Sequence, residues 1–330
     1  MIKKLGKSSP LKNRKVAFKL VICSIAIIFI SINVIAYFHA YKFTHFADNT
    51  VTKTKNAKSL STTEKIKTLI FGVDNPRPQN KSLPIQPFTT VKLNSNKEIE
   101  CWSIKTENSK GTVILFHGFG GQKSSMLDKS DVFLRLGYNT LLVDFMGSGD
   151  SEGNQTTVGF FEANQVKSCY DHVVNSGEDK IYLFGTSMGA VAIMKALNDF
   201  EINPAAIMIE CPFGSMYQTV CARFKTMNAP TFPMAGLLVF WGGIQNGFWA
   251  FGHNPSEYAR NINCPTLLMY GDQDEKVSRE EIDEIFGNLP STKQLKIYSR
   301  AGHENYLSKY RDQWTKDIET FLIANAHVSR

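Results

Sequence analysis

Six short apolar runs recur along this chain: Thr112 to Phe116, Thr140 to Phe145, Ile181 to Phe184, Ala206 to Ile209, Thr266 to Tyr270 and Leu295 to Tyr298. The stretches between them are generally long enough to hold a helix. Runs with little polar alternation suit strands covered on both faces, and laying such strands in parallel requires a crossover of about a dozen residues or more. The pattern predicts a mostly parallel, doubly wound α/β sheet. Ahead of it, Thr89 to Leu93 and Ile99 to Ile104 read as an antiparallel strand pair turning at Asn94-Ser95-Asn96-Lys97. The long gap from Pro212 to Pro265 exceeds a simple crossover, which predicts an inserted helical cap over about 212–262.

A separate constraint lies upstream. Leu20 to Phe38 is nineteen residues without a charge, about 28 Å as a helix and close to the hydrocarbon thickness of a bilayer. The net charge of +7 resides beside it: Lys3, Lys4, Lys7, Lys12, Arg14, Lys15 and Lys19 precede the segment with no acid among them. The remaining 30 basic residues match the 30 acidic ones, so no basic face is left for nucleic acid. The basic flank at 1–19 predicts a cytoplasmic tail, 20–38 a transmembrane helix, and the rest of the chain an extracytoplasmic domain, a single-pass type II arrangement. Val34-Ile35-Ala36 offers a cleavage site for a signal peptide, but the long charged region and long apolar stretch favour an uncleaved anchor.

Residues 39–84 read as a linker and a peripheral helix. Tyr41 to Ser59 is polar and without period, and Thr63 to Phe71 has helical spacing. A domain then spans 85–325. Within the cap, Pro233 to Phe251 is nearly as apolar as the first segment. One more crossing would place strands of a single sheet on opposite sides of the membrane, so this stretch is expected to cover a pocket or touch lipid. Cys101, Cys169, Cys211, Cys221 and Cys264 would lie in an oxidising space, and their odd number leaves at least one free thiol. They show no zinc spacing.

The pattern G-x-S-x-G occurs at Gly149 to Gly153 and at Gly185 to Gly189. Nucleophilic chemistry needs the serine on a sharp turn between a buried strand and a helix. Only the second copy has an apolar run before it and a helix-favouring stretch, Ala190 to Leu197, after it. Ser187 is therefore the candidate nucleophile and Ser151 a decoy. Such a serine requires a histidine base oriented by a carboxylate. In the order serine, acid, histidine, only His303 and His327 come late enough, and His327 is the fourth residue from the end. Asp274, three residues after the turn Gly271, is the best acid, with Asp272 and Glu210 as fallbacks. Backbone N–H groups of Phe119, in His117-Gly118-Phe119-Gly120-Gly121, and of Met188 are candidates for an oxyanion hole. Phe240, Trp241, Phe248, Trp249 and Phe251 are candidates for a substrate pocket.

Taken together, His117 to Gly121, Asp144 to Gly153, Gly185 to Gly189, Cys264 to Asp274 and Gly302-His303 resemble the motifs of the α/β-hydrolase fold. The likeness is greatest to its membrane-anchored hydrolases and to the serine aminopeptidase and monoglyceride lipase-like branch. It covers about residues 85 to 325. The resemblance implies Ser187, Asp274 and His303 as a relay, Phe119 and Met188 as oxyanion donors, and a structural role for Asp144 to Gly153. The expected activity is hydrolysis of a carboxylic ester or thioester, with a lipid-like or acyl substrate and neither cofactor nor metal. An aminopeptidase would need a cap carboxylate to hold an amine, and Glu257 is the only acid between Glu210 and Asp272. A binding protein on a hydrolase scaffold is the non-enzymatic alternative.

Overall fold

A computed structural model describes residues 10–48, 50–54 and 59–326. Lys3, Lys4 and Lys7 of the basic flank, part of the expected linker, and His327 lie outside the described residues. The strands are β1 (Phe88–Leu93), β2 (Ile99–Ile104), β3 (Thr112–Phe116), β4 (Asn139–Val143), β5 (Ile181–Thr186), β6 (Ala206–Glu210), β7 (Thr266–Gly271) and β8 (Lys293–Tyr298). The helices are α1 (Pro10–Thr44), α2 (Thr62–Phe71), α3 (Leu127–Arg135), α4 (Glu162–Asn175), α5 (Met188–Asp199), α6 (Met216–Thr226), α7 (Met234–Asn246), α8 (Pro255–Tyr258), α9 (Arg279–Asn288), α10 (Tyr306–Lys309) and α11 (Arg311–Ala324).

The eight strands form one sheet in the order β1-β2-β4-β3-β5-β6-β7-β8. β1 with β2 and β2 with β4 pair antiparallel, and every later pair is parallel. Successive side chains point to opposite faces of a strand. In β3, Ile114 and Phe116 accordingly join the core beneath α4, α5 and α9, while Val113 and Leu115 join the core beneath α3 and α11. The central strands are buried throughout, which is why their sequences lack alternation. Parallel winding leaves the C-terminal ends of β5, β7 and β8 on one rim, and the loops there carry Ser187, Asp274 and His303.

α1 corrects the expected linker boundary. The helix continues past Phe38 and Tyr41 to Thr44, about 53 Å in all. Residues 14–31 are exposed, whereas Ala36 and Ala40 are buried against the cap helix α7. A Cβ on Gly242 of α7 would sit 3.9 Å from the Ala40 Cβ, so small residues let the two helices touch. Trp241 Nε1 donates to Asn33 Oδ1 at 3.2 Å and Gln245 Nε2 to the Tyr37 carbonyl at 2.8 Å. Beyond α1, the Phe46 N–H donates to the Asn154 carbonyl at 2.6 Å, and Ala47 bridges to Pro76. The polar composition of 41–59 concealed Phe43 and Phe46, two aromatic residues that dock this segment onto the domain.

The stretch after α2 is also tied down. The Arg77 guanidinium donates to the carbonyls of Gly149, Ser151 and Gly153, and Asn80 Nδ2 bonds Asp144 and Asp150 at 2.9 and 2.8 Å. Beneath them Lys123, fully buried, meets Asp144 at 2.5 Å and Glu100 and Asp150 at 3.0 Å. A buried ammonium is tolerable only with such partners.

Candidate active site

Ser187 sits between β5 and α5 at φ 52° and ψ −111°, a backbone conformation that a non-glycine residue holds only when its surroundings force it. Two glycines do the forcing. A Cβ on Gly185 would come within 2.6 Å of the Ala190 nitrogen, and one on Gly189 within 2.3 Å of the Phe116 carbonyl oxygen. The turn is closed further by the Ser187 N–H, which donates to the Glu210 carbonyl at 2.8 Å. The serine hydroxyl thereby stands clear of the backbone at the head of the helix.

His303 reaches it from the loop after β8. Its Nε2 lies 3.0 Å from Ser187 Oγ and its Nδ1 2.7 Å from Asp274 Oδ2. Asp274 is buried, and its second oxygen accepts from the N–H groups of Lys276 and Val277 at 2.8 and 3.0 Å, so the carboxylate is fixed in orientation as well as charge. A carboxylate on one imidazole nitrogen sets the tautomer that leaves the other free to accept the serine proton. The arrangement provides a nucleophile, a base in contact with it and a group that aligns the base.

The fallback acids are engaged elsewhere. Asp272 accepts from the Arg300 N–H at 2.6 Å. Glu210, fully buried, takes the Thr186 hydroxyl and the Trp314 indole N–H, each at 2.7 Å. Ser151 donates to the Asp144 carbonyl at 2.7 Å and accepts from the Glu100 N–H at 2.8 Å, so its hydroxyl is committed to holding a turn.

Met188 is the first residue of α5, so its N–H is among the helix donors that have no intrahelical partner. The Gly118 backbone passes close by: a Cβ there would stand 3.5 Å from Ser187 Cβ. This places the Phe119 loop against the serine. His117, buried at the start of that loop, bonds the Gly118 carbonyl through Nδ1 at 2.8 Å and accepts from the Phe145 N–H at Nε2, 3.1 Å. Burial holds its imidazole below the ordinary pKa, so it remains neutral and spans the two loops.

Several supports were not evident from the sequence. Lys129 Nζ donates to Asn305 Oδ1 at 2.7 Å and Asn305 Nδ2 to Asp128 Oδ2 at 2.6 Å, bracing the loop two residues past His303. The Gly271 N–H donates to the Tyr306 hydroxyl at 2.9 Å, joining the aspartate and histidine loops. Cys211 has a ligand atom within 4.8 Å of those of Asp274 and His303. Burial and then the charges of Asp274 and Glu210 push its thiol well up, so it stays protonated and ill suited to a metal, which takes the thiolate. All six cysteines are unbonded; Cys101 and Cys169 are buried with sulfurs 4.0 Å apart.

The aromatic candidates part company. Phe248 lines an apolar cavity of about 70 Å³ between α1 and the cap, with Ala40, Phe43, Val220, Phe224 and Leu238. The other pocket candidates do not line it. Trp241 turns toward Tyr37 and Asn33 of α1, while Phe240, Trp249 and Phe251 are exposed. α7 is apolar on every side, so its sequence carries no face preference and the neighbouring α1 decides which side is covered.

Comparison with known proteins agrees with this architecture. A family model described as serine aminopeptidase, S33, matches residues 107–239. YqkD of Bacillus subtilis is 23% identical over 229 residues, 68% of this chain and 75% of that protein. Bovine lysophosphatidylserine lipase ABHD12 is 25% identical over 233 residues, 63% of this chain and 57% of the lipase. Among solved structures, the esterase Pf2001 of Pyrococcus furiosus superposes with a TM-score of 0.63 at 22% identity, covering 76% of this chain and 98% of the esterase. A parallel sheet with an antiparallel beginning, a strained serine elbow and these likenesses lead to one assignment: the chain has the α/β-hydrolase fold.

Proposed function

We propose that this protein is a membrane-tethered serine hydrolase of carboxylic esters or thioesters. The observation that carries the reading is the position of His303, within hydrogen-bond distance of Ser187 on one side and Asp274 on the other. Ser187 Oγ attacks the ester carbonyl as His303 Nε2 accepts its proton. The oxyanion that forms is held by the N–H groups of Phe119 and Met188. His303 returns the proton to the leaving alcohol or thiol as the C–O or C–S bond breaks, leaving an acyl-enzyme. Water, deprotonated by His303, then releases the acid and restores the serine.

The names of the lipase and esterase relatives favour an acyl ester, and the small apolar cavity lined by Phe43, the residue that stacks on Phe119, has room for a few methylene groups. The aminopeptidase reading, favoured by the family model's description, lacks a holder for the substrate amine: Glu257 is half exposed and paired with Arg260. The apolar run of α1 supports anchoring, with the basic flank cytoplasmic and the catalytic domain on the other side. Contact of α7 with Asn33 and Tyr37 would then set the cap helix within the outer leaflet.

Fluorophosphonate labelling tests the chemistry. The full chain should be labelled at Ser187, and Ser187→Ala should abolish both labelling and ester turnover, a loss on the order of 10⁶-fold if the three residues act as a unit. Folded protein that resists the probe would point to a binding protein instead.

A further inference from the structure

α2 is amphipathic the wrong way round. In a domain surrounded by water such a helix turns its apolar stripe to the core. Here Thr68 is buried and Leu69 packs on the core, while Ile66, Ile70 and Phe71 are exposed, Phe71 by 61%. At about 100° per residue, Ile66, Ile70, Lys67 and Phe71 share one outward arc. The helix is well closed at both ends, so these residues are not shown outward by fraying. The Ser61 N–H donates to Glu64 Oε2 at 2.8 Å and the Glu64 N–H to Ser61 Oγ at 3.3 Å, and the Gly72 N–H donates to the Thr68 carbonyl at 2.9 Å.

The height of α2 along α1 is fixed. A Cβ on Gly72 would sit 3.5 Å from His39 Cα and 3.2 Å from Lys42 Cδ. The His39 imidazole hydrogen-bonds the Ile70 backbone, and Lys42 Nζ meets Asp74 at 2.8 Å. These contacts begin just past Phe38, where the uncharged stretch ends, and reach about 6 Å beyond it along an upright helix. That is the depth of lipid headgroups, and Tyr37 and Tyr41, both exposed, supply the aromatic rings enriched there. α2 also stands away from the cap. Asn33, Tyr37 and Ala40, which meet α7, share one side of α1, and His39 and Lys42 face nearly the opposite way.

We propose that α2 is an interfacial anchor whose outward arc lies at the boundary between headgroups and acyl chains, in the leaflet on the domain's side, so that α2 and α7 straddle α1. This rests on α1 spanning a bilayer, as in the proposed function, and not on the catalytic assignment. Ile66, Ile70 and Phe71 enter the acyl edge, while Lys67, set among them, extends its ammonium to the lipid phosphates. A lone spanning helix leaves its domain free to tilt and turn. Supports on two opposite sides of that helix hold the domain in one orientation to the membrane.

The test places a reporter on the arc. Of the four tryptophans, Trp102 and Trp314 are enclosed, so Phe71→Trp in full-length protein carrying Trp241→Phe and Trp249→Phe adds the emission that a bilayer can alter. Ile66→Trp in the same background repeats the reading from the other edge of the arc. In vesicles of phosphatidylcholine with a minor share of phosphatidylglycerol, lipids brominated high on the acyl chain should remove at least about half of the added emission, and aqueous acrylamide little of it. Ile66→Asp with Ile70→Asp should cut the bromolipid loss from Phe71→Trp at least about twofold. Added emission quenched by acrylamide and not by bromolipid overturns the anchor. Added emission reached by neither quencher shows an arc covered by protein, such as a second copy of this chain, and overturns the lipid assignment. Extraction of the same vesicles with alkaline carbonate reads the span separately. Protein retained in the vesicles while the Phe71→Trp emission stays open to acrylamide refutes the role of α2 alone and leaves the tether. Protein that bromolipid quenches but carbonate strips upholds α2 at the lipid surface and counts against α1 as a span.

Discussion

Phe43, in the last turn of α1, lies flat against Phe119, with ring centroids 4.6 Å and planes 3° apart. The helix that carries the apolar span thus ends on the loop proposed to hold the oxyanion, and Phe46 adds a second ring at 5.9 Å. The apolar helix and the α/β domain share a packing surface.

Phe43→Ala should therefore lower activity without touching Ser187, His303 or Asp274. Stacked aromatic pairs contribute about 0.5–1.5 kcal/mol beyond burial, and a loosened Phe119 loop weakens stabilisation of the transition state more than substrate binding. The expected outcome is a fall in kcat of about tenfold with little change in KM, accompanied by slower fluorophosphonate labelling. Unchanged kcat together with a lower Tm would show that the stack matters for stability alone.

Asp274→Asn separates the aligned acid from its neighbours. The amide cannot hold the histidine tautomer that Ser187 needs, and kcat should drop about 10⁴-fold while the fold persists. Glu210→Gln should behave in the opposite manner. Glu210 ties Thr186 to Trp314 in the core, so its loss should lower the unfolding free energy by about 1–3 kcal/mol, read as a lower denaturant midpoint, and leave kcat within a few-fold. Equal losses of activity in both variants would refute the assignment of Asp274.

These cases also show what can be read from the chain. Ser187 is recognisable because the turn glycines, the buried strand and the helix are contiguous in sequence, and Asp274 and His303 because they follow strand ends in chain order. The parallel sheet is legible for a related reason: strands β3 to β7 are buried on both faces and lack alternation. Lys129 and Lys123 are not legible. A lysine or arginine reads as surface unless its partners are known, and those of Lys123 lie 23, 21 and 27 residues away. The final turns of α1 were hidden by their lysine, threonine and histidine content, since nothing local reveals that Phe43 has a ring waiting 76 residues later.

Gly189→Ala tests the elbow itself. With the Phe116 carbonyl oxygen 2.3 Å from the added methyl, strand β3 and helix α5 must separate, and overpacking at backbone costs about 1–3 kcal/mol or more. The variant should express poorly or melt well below the parent. Near-normal Tm would mean that the strand and helix can part freely, and the close packing proposed to position Ser187 would lose its basis.

Acid sensitivity follows from His253, buried between Val158 and Tyr258, with Nε2 3.1 Å from the Val158 carbonyl. Burial lowers its pKa to about 4, against about 6.5 in an unfolded chain. Between these values the unfolded state binds a proton that the native state refuses, so stability rises with pH. The contribution is complete above about pH 6.5 and is lost as pH falls toward 4, roughly 3 kcal/mol over the window. His117, lowered in the same direction, adds to the slope. Replacing the group with His253→Gln should flatten the dependence of the denaturant midpoint on pH between 4 and 6.5. An unaltered slope would place the acid lability elsewhere.

The depth of the cap in a bilayer follows from α1 once that helix is taken to span. Trp241 bonds Asn33, five residues before Phe38 ends the uncharged stretch, and at 1.5 Å per residue this lies about 7–8 Å inside the apolar zone. α7 must then enter the leaflet with it, and the cap suits that setting: Phe240 and Ile244 of the helix are exposed, and Trp249, just beyond its end, shows 63% of its surface. Trp102 and Trp314 are enclosed in the domain, so lipid-borne quenchers report on Trp241 and Trp249 alone. In proteoliposomes, lipids brominated at mid-chain should quench part of the tryptophan emission, and the combined Trp241→Phe and Trp249→Phe variant should lose that part. Emission quenched by aqueous acrylamide but not by bromolipid would lift the cap clear of the membrane.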